Sequence, residues 1–386
     1  MISKKQILIM SAAAGVNAAN IYYSQPILNN IALNLNLSHG QVGNLPVFTQ
    51  VGYGLGLFFL TPLGDMIDRK KLIVFLQISL VFTLFGMTII DNINSLYILS
   101  LMTGLFAVAP QVIIPMAVSM SPNTKGKVVG TIFSGLLIGI LIARTFSGYM
   151  AHWFSWHTVY GLSALFVFLC IVLVQKTLPN IEPNYSSSYI SLLRSTFVQM
   201  KRFALLRKVS LLGVFSFGIF SSFWTTLTFR LSEGPFHYSS GTIGLFGILA
   251  VGGALLAPKL GKLSDRVNPQ LTKFLAVFTI IISILMIRWF DTYVLAFVLA
   301  TILLDIGVQA IQINNFAQIY TLDEEAHSRI NTAYMTSMFL GGSIGTFIGV
   351  KCWEFGGWNF VTIQLLSWSL IALIIVSSSY KSIKKT

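Results

Sequence analysis

Apolar runs of about 20 residues, broken by short polar or basic stretches, recur from one end of the 386-residue chain to the other. Each run is long enough to cross roughly 30 Å of hydrocarbon as an α-helix, which satisfies every backbone N–H and C=O internally. Ten-residue segments of alternating polarity, the mark of a transmembrane barrel, are not seen. Spans are predicted near 6–28, 41–63, 72–90, 95–118, 128–150 and 157–175, then near 209–229, 241–260, 271–290, 293–319, 329–350 and 358–379. The pattern therefore predicts an all-α integral membrane protein with twelve transmembrane helices. A six-helix bundle over 1–175, a cytoplasmic linker over 176–208 and a second six-helix bundle over 209–386 complete the expected organisation. Within the linker, Ile190 to Leu206 reads either as an amphipathic surface helix, with Arg194, Lys201 and Arg202 toward headgroups, or as a solvated connection.

Composition agrees with this pattern: 55% hydrophobic, 10% charged, against about 25% charged in soluble domains. A net charge of +13 would suit nucleic acid, but the placement of the charges argues against it. With both termini cytoplasmic, 21 of the 25 Lys and Arg fall on the cytoplasmic side, leaving Arg144, Arg230, Arg288 and Lys351. The basic excess thus sets topology in the membrane, with both termini on the cytoplasmic side. The N-terminal stretch resembles a signal peptide, but its apolar pattern continues past Tyr23, so it reads as a retained first span. Cys170 and Cys352 are far apart and read as small apolar residues, with neither a disulfide framework nor a metal-ligand spacing.

The halves also repeat. "TPLGDMIDRKK" follows span 2 and "GKLSDRVNPQ" follows span 8, placing Asp65 and Asp265 200 residues apart. Trp156 and Trp358 stand at nearly the same offset after spans 5 and 11. Two bundles related by an internal repeat, with a site between them near the midplane, is the architecture of many secondary transporters.

Charge inside the spans is rare and costs about 2.5–3.5 kcal/mol per residue at a helix centre, so each instance is a functional candidate. Asp305 is the one acid well inside a span, and with Gln309 and Gln312 it makes an i, i+4, i+7 stripe on span 10. A carboxylate so placed can neutralise itself by taking a proton, which makes Asp305 a candidate proton carrier; the alternative is a fixed anchor to a neighbouring helix. Arg144 is the deepest base, and it either serves the bundle interior as part of the proton-coupling site or snorkels to the outer headgroups. Polar and aromatic residues at helical spacing, Asn17, Asn20, Tyr23 and Ser24 on span 1, Gln111 on span 4 and Trp224 on span 7, join Gln309 and Gln312 as candidate substrate contacts. Amides can instead bond helix to helix. Glycines in spans 2, 8 and 11 allow the close approach that rocking bundles need. No phosphate loop and no nucleophile–base pairing is found, so neither ATP-driven transport nor catalysis is expected, and no cofactor.

These motifs resemble the major facilitator superfamily over essentially the whole chain. In the loop after span 2, Asp65, Arg69 and Lys70 match the family pattern, while Thr61, Met66 and Asp68 depart from it. In the second copy Gly261, Asp265 and Arg266 match, and Asn268 and Pro269 depart. The resemblance implies that these six matching residues form a conformational latch between the bundles and that spans 1, 4, 7 and 10 line a central cavity. The stretches "NAANIYYSQPIL", "LLDIGVQAIQINNF" and "SRINTAYMTSMFLGG" resemble the bacterial twelve-helix drug or metabolite:proton antiporters. Two positions differ from that branch: Ser100 stands where span 4 often carries Arg, and Arg144 stands where span 5 has a proline. The expectation is a secondary exporter of a small organic compound, working by alternating access with proton antiport, as a monomer. A proton-coupled importer or facilitator of a sugar or other nutrient is the alternative, followed by a transporter-shaped sensor.

Overall fold

The computed structural model describes residues 2–121, 124–181, 188–250, 269–323 and 326–383, and every regular element among them is helical. The first half runs α1 (Lys4–Ala19), α2 (Leu28–Leu35), α3 (His39–Phe59), α4 (Arg69–Ile89), α5 (Ile93–Phe106), α6 (Pro110–Ser119), α7 (Lys125–Trp153) and α8 (Trp156–Thr177). A linker helix α9 (Tyr189–Arg202) leads into α10 (Ala204–Ser232), α11 (Ser240–Ala250), α12 (Pro269–Trp289), α13 (Val294–Ile319) and α14 (His327–Ile383).

Nine helical stretches among the described residues are long and apolar enough to cross a membrane, and the difference from twelve has local causes. Span 1 is discontinuous: α1 ends at Ala19, a turn and a short 3₁₀ segment (Gln25–Ile27) follow, and α2 resumes at Leu28. Asn17 and Asn20 donate from their side chains back to the Ala13 and Val16 carbonyls at 2.7 and 2.9 Å, and Pro26 supplies no N–H. Span 4 also breaks before Pro110, giving α5 and α6, though Ile93–Ser119 still counts as one of the nine. Spans 11 and 12 run together as α14, bent at Gly356 and at Gly357, whose φ of 59° suits only a residue without Cβ. Span 8 is described as far as Ala250.

Glycines bring helices into backbone contact, mostly within each half. A Cβ at Gly52 would strike the Leu101 carbonyl oxygen and one at Gly104 that of Thr49, so α3 and α5 touch reciprocally. Gly15 and Gly139 do the same for α1 and α7, and Gly218 and Gly345 for α10 and α14. Several of the glycines expected at a rocking interface face the other half: Gly244 of α11 packs on Gly148 of α7, Gly54 of α3 faces Leu340 and Phe339, and Gly342 of α14 faces Gln50. Ser240 Oγ donates to the Gly148 carbonyl at 3.1 Å and Thr145 Oγ1 to that of Gly244 at 3.0 Å. Toward the α3 N-terminus, the His39 ring stacks on Phe229 of α10 at 4.5 Å, and Trp353 Nε1 of α14 donates to its Nδ1 at 3.3 Å. The repeated tryptophans are both buried and both pin a neighbour: Trp156 Nε1 donates to Asn34 Oδ1 at 3.0 Å and Trp358 Nε1 to the Ile287 carbonyl at 2.9 Å.

The linker helix forms, and it is held by protein rather than lying apart on the membrane surface. Tyr189 donates to the Phe59 carbonyl at 2.6 Å, Phe197 packs edge-on to Phe58, and Arg202 pairs with Asp323 at 2.6 Å. Its ends thus reach α3 in the first half and the α13–α14 connection in the second. Because the α3–α5 contact has no room for a branched side chain, Gly104→Val is expected to destabilise by about 1–3 kcal/mol, read as a lower melting temperature and less monodisperse protein on size exclusion in detergent. Gly126→Ala, where a Cβ meets nothing within 4 Å, should leave both unchanged.

Candidate functional site

The stretch of α7 from Val128 to Ala143 carries no charge, and Arg144 follows it in the helix interior, 1% exposed. The guanidinium does not reach outward to headgroups; the bundle encloses it. Its Nε donates to Gln25 Oε1 at 2.8 Å, and its Cζ lies 4.0 Å from the ring centre of Trp224 and 4.8 Å from that of Tyr22. Phe220 adds a third aromatic face at 5.8 Å. Desolvated cation–π contacts contribute about 2 kcal/mol each, enough to offset much of the cost of the charge. On α11, Gly247 leaves the Arg144 stem its space, since a Cβ there would lie 2.8 Å from the Arg144 Cβ.

Asp305 enters from the other half on α13, also buried, and accepts from Trp224 Nε1 at 3.3 Å. One indole therefore meets both charges, the cation on its π face and the anion at its N–H edge. Among the described residues no carboxylate lies within 4.0 Å of the guanidinium, so Arg144 and Asp305 meet through Trp224 and not as a direct ion pair. Arg144 Nη2 is buried with no acceptor among the described residues. Gln25 ties the site together further, because its backbone carbonyl accepts from Thr228 of α10 at 2.8 Å.

Both charged residues line a central cavity of about 140 Å³, together with Gln111, Gln309, Gln312 and Tyr22. The polar stripe on α13 thus faces inward as its spacing predicts. Helices from spans 2, 5, 8 and 11 also contribute to the wall, through Tyr53, Arg144, Ala250 and Met338, so it is wider than spans 1, 4, 7 and 10. Drug-sized pockets occupy about 300–1,000 Å³. The bundle must widen before such a molecule is enclosed.

Five of the expected cavity residues lie off its wall, and one of them, Trp224, sits against Arg144 and Asp305 instead. Asn17 and Asn20 spend their amide donors on their own helix, and Asn20 Oδ1 accepts from Ser163 of α8 at 2.8 Å. Tyr23 packs against Phe146 at 5.8 Å, and Ser24 is buried off the cavity wall. The break in span 1 accounts for this: beyond Ala19 the 3.6-residue register no longer holds, so Tyr22 and Gln25 face the site instead of Tyr23 and Ser24. Aromatic residues of α10 and α14, Phe217 and Phe339 among them, also line the wall and carried no distinguishing sequence signal beyond their apolar character.

In the loop after α3, Asp65 pairs with Arg69 at 3.1 Å, and Arg69 also donates to the Gly64 and Pro115 carbonyls at 3.0 and 3.1 Å. Asp68 caps α4 through Lys71 N–H at 2.8 Å and accepts from Ile181 N–H at 2.6 Å. These contacts all stay within residues 64–181, and Lys70 is half-buried at the start of α4. Gly261, Asp265 and Arg266 lie outside the described residues.

Residues 10–378 match the family model described as Major Facilitator Superfamily. A putative uncharacterized transporter, YgaY, of Escherichia coli K12 is 38% identical over 378 residues, covering 97% of this chain and 95% of the relative. Over a shorter stretch of 156 residues, 40% of this chain and 39% of the relative, a bicyclomycin resistance protein homolog of Haemophilus influenzae is 28% identical. The crystal structure of a mutant nucleoside transporter, NupG, superposes with a TM-score of 0.77 at 13% identity, covering 97% of this chain and 99% of that one.

Trp224→Phe keeps an aromatic face under Arg144 and removes the N–H offered to Asp305, whereas Trp224→Leu removes both. The expected order of thermal stability in detergent is wild type, then Trp224→Phe lower by about 1.5–3 kcal/mol, then Trp224→Leu lower by about 2 kcal/mol more.

Proposed function

We propose that this chain, which belongs to the major facilitator superfamily, exports a small organic compound from the bacterial cytoplasm by alternating access, in exchange for protons carried on Asp305. The chain is a non-enzymatic, multi-pass membrane transporter of that superfamily. Export, proton coupling and substrate class are our reading of its cavity. The observation that carries the reading is the convergence of Arg144 and Asp305, one from each half, on Trp224.

The physical logic is charge balance in a desolvated space. With Asp305 ionised, Arg144 offsets it through Trp224 and the cavity is close to neutral. A proton on Asp305, or a cationic or polar group of a substrate beside it, leaves Arg144 uncompensated, with Nη2 available to an acceptor. Proton and substrate then compete for one carboxylate, which is the requirement for antiport. Aromatic faces and the amides of Gln111, Gln309 and Gln312 suit an amphiphilic neutral or cationic molecule. The resistance homolog favours export over nutrient uptake.

Alternating access is supported by the contacts between the halves. Near Gly148 and Gly244 and around His39 they touch directly, while at the other end α9 spans them. We assign the α9 end to the cytoplasm, with both termini there, because the basic residues gather on that side. Residues 1–175 and 209–386 are then the two moving bundles and 176–208 the linker. Asp65, Arg69 and Lys70, with Gly261, Asp265 and Arg266, form a latch in this reading, and the Asp65–Arg69 pair orders the first copy of it. In this reading a single copy is the working unit, because both halves of one chain contribute to the cavity wall.

Everted vesicles with an imposed pH gradient and a pH-sensitive dye test the reading. Addition of a substrate, identified by export screening in a deletion strain, should release lumenal protons with the wild type. Asp305→Asn should abolish that signal and weaken substrate binding, because it fixes the neutral state with which the substrate competes. A wild type that moves substrate without moving protons would remove antiport, and full coupling in Asp305→Asn would remove Asp305 as carrier.

A further inference from the structure

A second cavity lies away from the central one, where the start of α10 meets α12, α13 and the end of α14. Its volume is about 190 Å³, and Leu205, Leu212, Ile375 and Val376 make much of the wall. Two lysines line it. Lys208 is exposed at the start of α10, and Lys273, just past the first turn of α12, is only 3% exposed.

Lys273 Nζ donates to Gln318 Oε1 at 2.7 Å, and among the described residues no carboxylate lies within 4.0 Å of it. An ammonium has three donors and one full charge, so an amide oxygen meets only part of its need. Burying such a charge without an anion beside it is strongly unfavourable. Lys273 lies near the cytoplasmic end of α12, yet protein encloses it, so it does not reach water as a lysine at a helix end ordinarily does. An anion beside Lys273 would supply the partner that keeps it charged, and the second lysine increases the attraction.

The surroundings decide what kind of anion. Leu271, Phe274 and Leu275 on α12 and Leu205 on α10 are exposed around the lysines. In a spanning protein such side chains face acyl chains. A freely soluble anion would gain nothing from that wall, whereas an amphiphile with an anionic head satisfies the lysines and the aliphatic lining at once. Basic pockets between helix ends on the cytoplasmic side recognise acidic lipid headgroups by this combination. We infer that this cavity binds the phosphodiester headgroup of an anionic phospholipid, with the phosphate between Lys208 and Lys273 and an acyl chain along Leu212 and Val376.

Delipidated full-length protein in detergent, titrated with phosphatidylglycerol or phosphatidylcholine and read by native mass spectrometry and by melting temperature, tests the site. The wild type should prefer phosphatidylglycerol by roughly thirtyfold, with about fivefold lost in each of Lys208→Gln and Lys273→Gln and the preference kept in Lys273→Arg. An unchanged preference in both Gln variants overturns the site. Sodium phosphate that stabilises the protein equally and displaces phosphatidylglycerol overturns the lipid assignment in favour of a soluble anion. Should Lys273→Gln fail to fold, Lys208→Gln at its exposed position decides, an unchanged preference there overturning the site.

Discussion

A guanidinium enclosed by a membrane bundle must be stabilised from every side, and the arrangement around Arg144 answers that demand. Aromatic rings come from α10 and from the broken part of span 1, an amide comes from Gln25, and the backbone of α11 draws close at Gly247 to seal the stem. None of these groups belongs to the first helix pair that would fold locally. The charge therefore makes tertiary assembly of the two halves interdependent, since its favourable surroundings exist only once α7, α10 and α11 are together.

Trp224 gives the site its character because an indole carries two unlike recognition surfaces. Its π face attracts a cation and its N–H edge an anion, and being neutral it cannot itself be titrated between them. Two opposite charges are thereby kept near each other without collapsing into a short ion pair whose separation would be costly at each turnover. Discontinuous helices around the same cavity fit this economy. Where α1 and α5 stop short, backbone groups and side chains such as Gln25 are released from helical register to face the interior, and such breaks are tolerated in a membrane only beside protein or a polar cavity.

The fold was legible because its signal is collective: twelve apolar runs, a basic asymmetry and a repeated Trp and Asp do not depend on the orientation of any one side chain. Asp305, Gln309 and Gln312 were legible for a related reason, as α13 is an unbroken helix and spacing gives its face directly. Span 1 defeated the same rule. The periodicity of Asn17 and Asn20 points to the cavity, yet such residues hydrogen-bond locally and help to end the helix that the periodicity assumes. Gln25 sat one residue beyond the stripe and proved to hold Arg144. The partnership of Arg144 with Trp224, 80 residues apart and in different halves, has no sequence signature at all.

The linker helix gives the molecule a built-in gauge. Its 14 residues make a rod of about 21 Å, footed at Tyr189 on the first half and at Arg202 on the second. While both feet hold, a rod of fixed length fixes the spacing between Phe59 and Asp323. Its footings, a hydroxyl on a carbonyl and a surface ion pair, are each worth only about 1 kcal/mol, so they break and re-form easily. The strap thus marks one spacing of the two halves and resists departure from it by no more than about 2 kcal/mol.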